Sequence, residues 1–215
     1  MNRIIAVGTI VVYLGMGAAV IATSANAQAR ASIGGVVSSV KDESTVAGAV
    51  TTRTGILIGG QASVSFRQVD LGLAYRQGAL SPSDTGSERD LVEGQATLGL
   101  RVSRWLRLEV GPHVRAYVTP TSTERWLLWE GRADFTAQIL GPSVWSYLSL
   151  SRTLGADVSP AADFGRGQAG EAGLMVRLGR SPFWTGLGYW IAQTSTAGSQ
   201  RIETLQGLSV SLAVR

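Results

Sequence analysis

The sequence of 215 residues predicts an all-β fold, a closed antiparallel up-and-down barrel of about ten strands, with eight as the alternative count. Three observations predict it. From about residue 55 onward apolar and polar residues alternate with period two, as strands with two unlike faces require. The alternating stretches are longer than the roughly 5–6 residues of an ordinary globular strand. The connections between them sort into tight turns and longer polar segments that take turns along the chain.

Composition narrows the classes further. With 45% apolar residues, 16% charged residues and 27 Gly, the chain does not read as disordered. The absence of Cys removes disulfide frameworks and thiolate metal sites, and a single His leaves no basis for a nitrogen-ligated metal; no cofactor is predicted. Of 19 basic residues only Lys41 is a lysine, and the arginines are spread along the chain, so the net charge of +4 marks no nucleic-acid surface.

The elements follow in order. Met1-Asn2-Arg3 and the apolar run from Ile4 to Ile21 read as a signal peptide over residues 1–27. Ala25-Asn26-Ala27 and Ala27-Gln28-Ala29 offer cleavage after Ala27 or Ala29, leaving one barrel domain over 28–215. Candidate strands are 31–40, 55–66, 69–79, 89–102, 106–118, 124–139, 144–155, 167–179, 183–195 and 201–214. The fifth is the clearest: Leu106, Leu108, Val110, Pro112, Val114 and Ala116 lie on one face, with Arg107, Glu109, Gly111, His113, Arg115 and Tyr117 on the other. In the sixth, Leu127, Trp129, Ala133 and Phe135 oppose Leu128, Glu130, Arg132 and Asp134. Arg67-Gln68, Ser103 to Trp105, Leu140 to Ser143 and Arg180 to Pro182 read as tight turns; 41–54, 80–88, 119–123, 156–166 and 196–200 read as longer loops.

Alternation alone does not say which face is inside. A soluble exterior carries charges of both signs over about a quarter or more of its surface, and one lysine in the whole chain does not fit that. Strands of this length cross a bilayer when tilted, and short turns at one end with longer loops at the other suit a membrane barrel. The apolar faces are therefore expected to point outward into lipid, making this a transmembrane β-barrel.

In these features the chain resembles the small outer-membrane β-barrel proteins of didermal bacteria, across residues 30–215 and as an architecture rather than a motif match. It ends at Val214-Arg215 rather than on the aromatic residue that often closes such chains. The resemblance implies residence in the bacterial outer membrane after export. It also implies outer-membrane lipid, including lipopolysaccharide, and the envelope assembly machinery as partners. It leaves the oligomeric state open.

With the apolar faces outward, the lumen receives Asp70, Glu93, Glu109, Glu130, Asp134, Glu171 and Glu203 against Arg76, Arg101, Arg107, Arg115, Arg132 and Arg177, together with His113. These near-balanced charges are expected to pair and fill most of the interior. Strands one to three, nine and ten supply small residues instead, such as Gly59, Gly72, Gly186, Gly188, Ser209 and Ser211.

Three functions remain in view: a non-enzymatic structural or surface-interaction barrel, which the plugged lumen favours; a narrow channel for ions or small solutes; and a lipid hydrolase using His113. For the third, the outer-membrane deacylase pattern places a Ser two residues after its His, where this chain has Arg115. Pro112 marks a candidate bulge that would turn His113 to the other face. Trp105, Trp129, Trp184, Tyr75 and Tyr189 are expected in aromatic girdles at the membrane interfaces. No catalytic residue is predicted.

Overall fold

A computed structural model describes residues 29–83, 87–160, 163–197 and 201–215. The expected leader and a cleavage after Ala27 lie outside these residues; Ala29 is the first residue of β1. Ten strands follow in order: β1 (Ala29–Val46), β2 (Ala49–Phe66), β3 (Val69–Pro82), β4 (Arg89–Arg101), β5 (Leu106–Val118), β6 (Thr123–Leu140), β7 (Val144–Ser159), β8 (Phe164–Arg177), β9 (Phe183–Thr196) and β10 (Arg201–Val214). Each pairs antiparallel with its sequence neighbours, and β10 closes onto β1 with Ile33 opposite Val214 and Val46 opposite Arg201. The count is ten, and closure leaves no sheet edge unpaired.

An even number of strands puts β1's start and β10's end at one rim, here called proximal, with connections 67–68, 102–105, 141–143 and 178–182. The distal rim carries 47–48, 83–88, 119–122, 160–163 and 197–200. Residues 41–54 are not a loop. β1 and β2 continue through them to the two-residue turn Ala47-Gly48, whose φ values of 48° and 87° suit a type I′ hairpin. The other distal loops are also shorter than the sequence suggested, because β3 reaches Pro82 and β7 reaches Ser159. Long and short connections therefore do not contrast; both rims are trimmed close.

The outward faces explain the misreading. From the proximal end, β10 shows Val214, Leu212, Val210 and Leu208 outward, then Gln206 and Thr204. β3 shows Val69, Leu71, Leu73 and Tyr75, then Gln77 and Ser81; β8 shows Val176, Leu174 and Ala172, then Gln168 and Arg166. On β1 the change falls between Val37 and Lys41. An exposed apolar band thus encircles the proximal part of the barrel. About nine residues of a strand tilted near 40° make it roughly 25 Å tall, the thickness of an outer-membrane hydrocarbon layer. Beyond it the same strands continue as a polar collar, whose Thr, Ser, Lys and Glu residues look like loop composition. Period two runs from band to collar along β4, where Leu98 faces out at 53% exposure and Leu91 faces in at 0%.

Aromatic residues sit near the edges of the band. The Tyr75 hydroxyl donates to Gln77 Oε1 at 2.8 Å, and that of Tyr189 to Gln206 Oε1 at 2.7 Å, tying band to collar. Trp129 is also exposed outward, and Trp105 stacks on Phe135 at 6.1 Å near the proximal rim. Trp184 differs from expectation: it shares the inward parity of Gly186 and Gly188 and stands at the proximal mouth, with the Arg215 guanidinium 5.7 Å from its ring. Pro112 does not cause a bulge. Gln95 opposes His113 and Leu98 opposes Val110, so the register is unbroken across it and His113 stays inward. The irregularity in this region lies instead on β7, between the pairs Trp129–Gly155 and Glu130–Thr153.

The lumen as candidate functional site

Inward side chains form successive tiers, and their order can be read along single strands. β4 gives Arg89, Leu91, Glu93 and Gln95 from the distal end, and β10 gives Glu203, Leu205 and Gly207. The most distal tier is a clasp of charges. Arg89 binds Asp42 and donates to Glu203 Oε1 at 2.7 Å, with its guanidinium 3.8 Å from the centre of the Tyr117 ring. Arg201 pairs with Glu124 at 2.5 Å and lies 3.5 Å from Glu203; the Trp126 indole N–H donates to Glu124 at 2.8 Å. Arg53 stands 4.0 Å from Asp42. The clasp joins β1, β2, β4, β6 and β10 across the barrel axis.

Next to the clasp lies an apolar tier, which sequence reasoning missed. Val40, Leu57, Leu80, Leu91, Tyr117, Trp190, Ala192 and Leu205 pack together from β1–β5, β9 and β10, nearly free of solvent. A second cluster of Trp126, Leu128 and Val158 adjoins Phe164, whose ring meets Trp126 edge-on at 6.3 Å. A closed barrel of this size has an interior that side chains can fill, and here they do so in the manner of a protein core.

The middle tier is ionic again. Glu93 binds Arg76, accepts from Arg115 Nε at 2.8 Å and lies 3.4 Å from His113 Nε2. His113 Nδ1 meets Glu130 Oε1 at 3.0 Å; Gln95 donates to Glu130 at 3.4 Å and accepts from Arg132 at 3.1 Å. Arg76 also lies 4.1 Å over the Trp190 ring, linking this tier to the apolar one.

The proximal tier is wetter. Arg107 pairs with Asp134 at 2.9 Å, Glu109 at 3.0 Å and Asp70 at 3.9 Å, and Arg101 reaches Asp70 at 3.3 Å. Glu171 accepts from the Tyr147 hydroxyl at 2.7 Å, while Arg177 turns to the Ser181 carbonyl at 2.8 Å rather than to an acid. The small-residue wall gives Tyr147 its room. A Cβ on Gly173 would stand 2.7 Å from its ring, and one on Gly188 would stand 2.2 Å from its hydroxyl. Gln61 and Ala74 on the same wall remain open to the lumen.

All fourteen residues assigned to the lumen from sequence carry inward parity, but they do not form one network. Glu203 belongs to the distal clasp. Arg76, Glu93, His113, Arg115, Glu130 and Arg132 share the middle tier. Asp70, Arg101, Arg107, Glu109 and Asp134 are proximal, and Glu171 and Arg177 stand apart. Asp42, Arg53, Arg89, Glu124 and Arg201 were not anticipated. The first two lie in the stretch read as a loop; its surviving signal is the parity series Ser38, Val40, Asp42, Ser44.

Chemically, the lumen holds charges apart from water more than it offers them to a substrate. Both ring nitrogens of His113 face carboxylates, so neither is directed at a hydroxyl nucleophile. Among the described residues no group of acids and His is arranged to hold a metal ion. Among the described residues, Asp42 Oδ1, Glu203 Oε2, Tyr117 Oη and Ser38 Oγ are buried without a hydrogen-bond partner.

No protein-family model matches the chain, and no curated protein matches it. Solved structures do. The β-domain of the Bordetella autotransporter BrkA matches with a TM-score of 0.50 at 13% identity, covering 85% of this chain and 98% of that one. The translocator domain of the autotransporter NalP from Neisseria meningitidis matches with a TM-score of 0.49 at 11% identity, covering 98% and 97%. Neisserial surface protein A matches with a TM-score of 0.42 at 11% identity, covering 86% and 97%. The architecture is that of the outer-membrane β-barrels.

Proposed function

We propose that this chain is an exported, non-enzymatic barrel of the bacterial outer membrane, with a lumen closed by its own side chains and a structural or surface-interaction role. The observation that carries the reading is the stacking of a dry apolar tier between two ionic tiers, with Leu57, Leu80, Leu91 and Leu205 at 0–1% exposure. A hydrated ion would have to displace that packing and part Arg89 from both its acids. The proximal rim, where β1 starts and β10 ends, would face the periplasm, and the collar would stand outside. The trimmed distal loops mean that any contact at the surface is made by strand walls and hairpin tips. The envelope assembly machinery is the partner this reading requires for insertion.

Liposome swelling tests it. Vesicles carrying the folded protein should swell in sugar or amino-acid solutions no faster than protein-free vesicles; swelling at a rate graded by solute size would refute the closed lumen. One observation favours a second reading, a narrow gated channel: the proximal tier is wet, with the Arg101 and Arg107 side chains 41% and 38% exposed. That vestibule would conduct only if the clasp opened.

A further inference from the structure

We propose that the outward face of β7 and β8, at the distal edge of the apolar band, is a binding site for the phosphate monoester groups of anionic membrane lipids, with Arg152 and Arg166 as its ligands and Arg125 at its upper flank. The proposal rests on the membrane-spanning reading and is independent of whether the lumen conducts.

Arg152 is the anomaly that points to it. It faces outward from the interior of β7, between Leu150 and Leu154 on the same face, both exposed as members of the band. Across the ladder it stands opposite Gly131 on one side and Gln168 on the other. A guanidinium at the edge of hydrocarbon is costly unless its long side chain carries it to the headgroups and finds an anion there. Arg166 lies two residues beyond Gln168 on β8, a diagonal neighbour of Arg152 at about 7–8 Å between Cα atoms. Two forks at that spacing can converge on one phosphate, whose oxygens suit the paired N–H groups of arginine. Gln168 lies between them, and Gln193 lies opposite Gln168 on β9, adding amide donors along the same row.

Local charge agrees. Among the described residues neither Arg125, Arg152 nor Arg166 forms an ion pair or hydrogen bond. Asp157 is the acid carried outward on β7, and three cations against it leave the patch positive. On the β1 side of the collar, by contrast, the outward Lys41 is already neutralised by Glu43 at 3.1 Å. Each charged side chain in the lumen has a polar partner among the described residues, even where it is neutral as with the Gln95 amide for Arg132 and the Tyr147 hydroxyl for Glu171, whereas these three outward arginines have none. Gly131, opposite Arg152, gives room to the Leu154 side chain, whose Cδ1 would stand 3.4 Å from a Cβ there, while the exposed indole of Trp129 stands diagonally beside Arg152 and can report on it.

The test compares the folded protein in phosphatidylcholine vesicles containing about 5% bis-phosphorylated lipid A with vesicles containing its phosphate-free form, and titrates inorganic phosphate separately. Bound lipid is read by the part of the tryptophan fluorescence change that is lost in Trp129→Phe, and by lipid retained on the detergent-extracted barrel. The wild type should retain the phosphorylated lipid roughly tenfold over the phosphate-free form, the size of one or two charge-assisted hydrogen bonds. R152Q/R166Q should lose the preference and R152K/R166K should keep part of it. Equal retention of both lipids by the wild type, or an unchanged preference in R152Q/R166Q, would overturn the site. The same fluorescence change with millimolar inorganic phosphate would overturn the lipid as its ligand. Failure of the wild type to insert into any vesicle would instead overturn the membrane-spanning reading beneath it.

Discussion

Glu93→Ala removes the acid on which the middle tier turns. Glu93 is 3% exposed and holds Arg115, Arg76 and His113. The three partners are not equally harmed. His113 keeps Glu130, and Arg76 keeps the Trp190 face and is a quarter exposed. Arg115 is 2% exposed and has no second carboxylate in salt-bridge range among the described residues, so the substitution leaves one enclosed cation unpaired. That situation costs about 3–5 kcal/mol. Replacing both charges, as in Glu93→Gln with Arg115→Met, removes the unpaired cation and should cost only about 1–2 kcal/mol, which makes the pair strongly non-additive. Urea unfolding of the barrel in phosphatidylcholine vesicles, followed by tryptophan fluorescence, measures each variant. A single-variant cost below about 1 kcal/mol, or a double variant equal to the sum of its parts, would refute the view that Arg115 is sealed from water.

Three other outcomes follow from the same geometry. Leu98→Arg, within the apolar band, should destabilise the inserted barrel by about 2–4 kcal/mol, whereas Gln206→Arg in the collar should cost about 1 kcal/mol or less; equal costs in the same urea assay would erase the boundary drawn between them. Gly111→Ala should be poorly tolerated, because its Cβ would stand 1.9 Å from the Ala96 carbonyl oxygen, while Gly94→Ala, with nothing within 4 Å, should leave the unfolding midpoint nearly unchanged. Cysteine placed at Ser83 on the distal rim should label on intact cells with an impermeant maleimide, and cysteine at Gln68 on the proximal rim should not; the reverse pattern inverts the orientation.

Much of the fold was legible because a barrel wall writes its two faces in alternate residues. Leu106 to Val118 could be sorted face by face without ambiguity, and the structure keeps that sorting through Pro112. The distal ends were not legible, for a physical reason. Once a strand leaves the hydrocarbon, its outward residues become polar, so Lys41, Glu43, Thr52 and Thr54 imitate a loop although they continue a hairpin. That error hid Asp42 and Arg53, and with them the clasp. The apolar tier was hidden by the opposite assumption, that the inward face is polar everywhere. Leu57 between Gly55 and Gly59, and Leu91 between Arg89 and Glu93, are apolar residues at inward parity and were the available signal. Which charges meet could not be read from one strand at a time, since Arg89 reaches acids on β1 and β10.

The central claim is that side chains alone seal the lumen at the clasp and the apolar tier. Planar-bilayer recording of the folded protein tests it most directly, with Arg89→Ala/Leu57→Ala/Leu205→Ala as the comparison that breaches both tiers. The wild type should show no steady conductance above the bare membrane, and the triple variant should open resolved current steps. A steady, sizeable wild-type conductance would contradict the account.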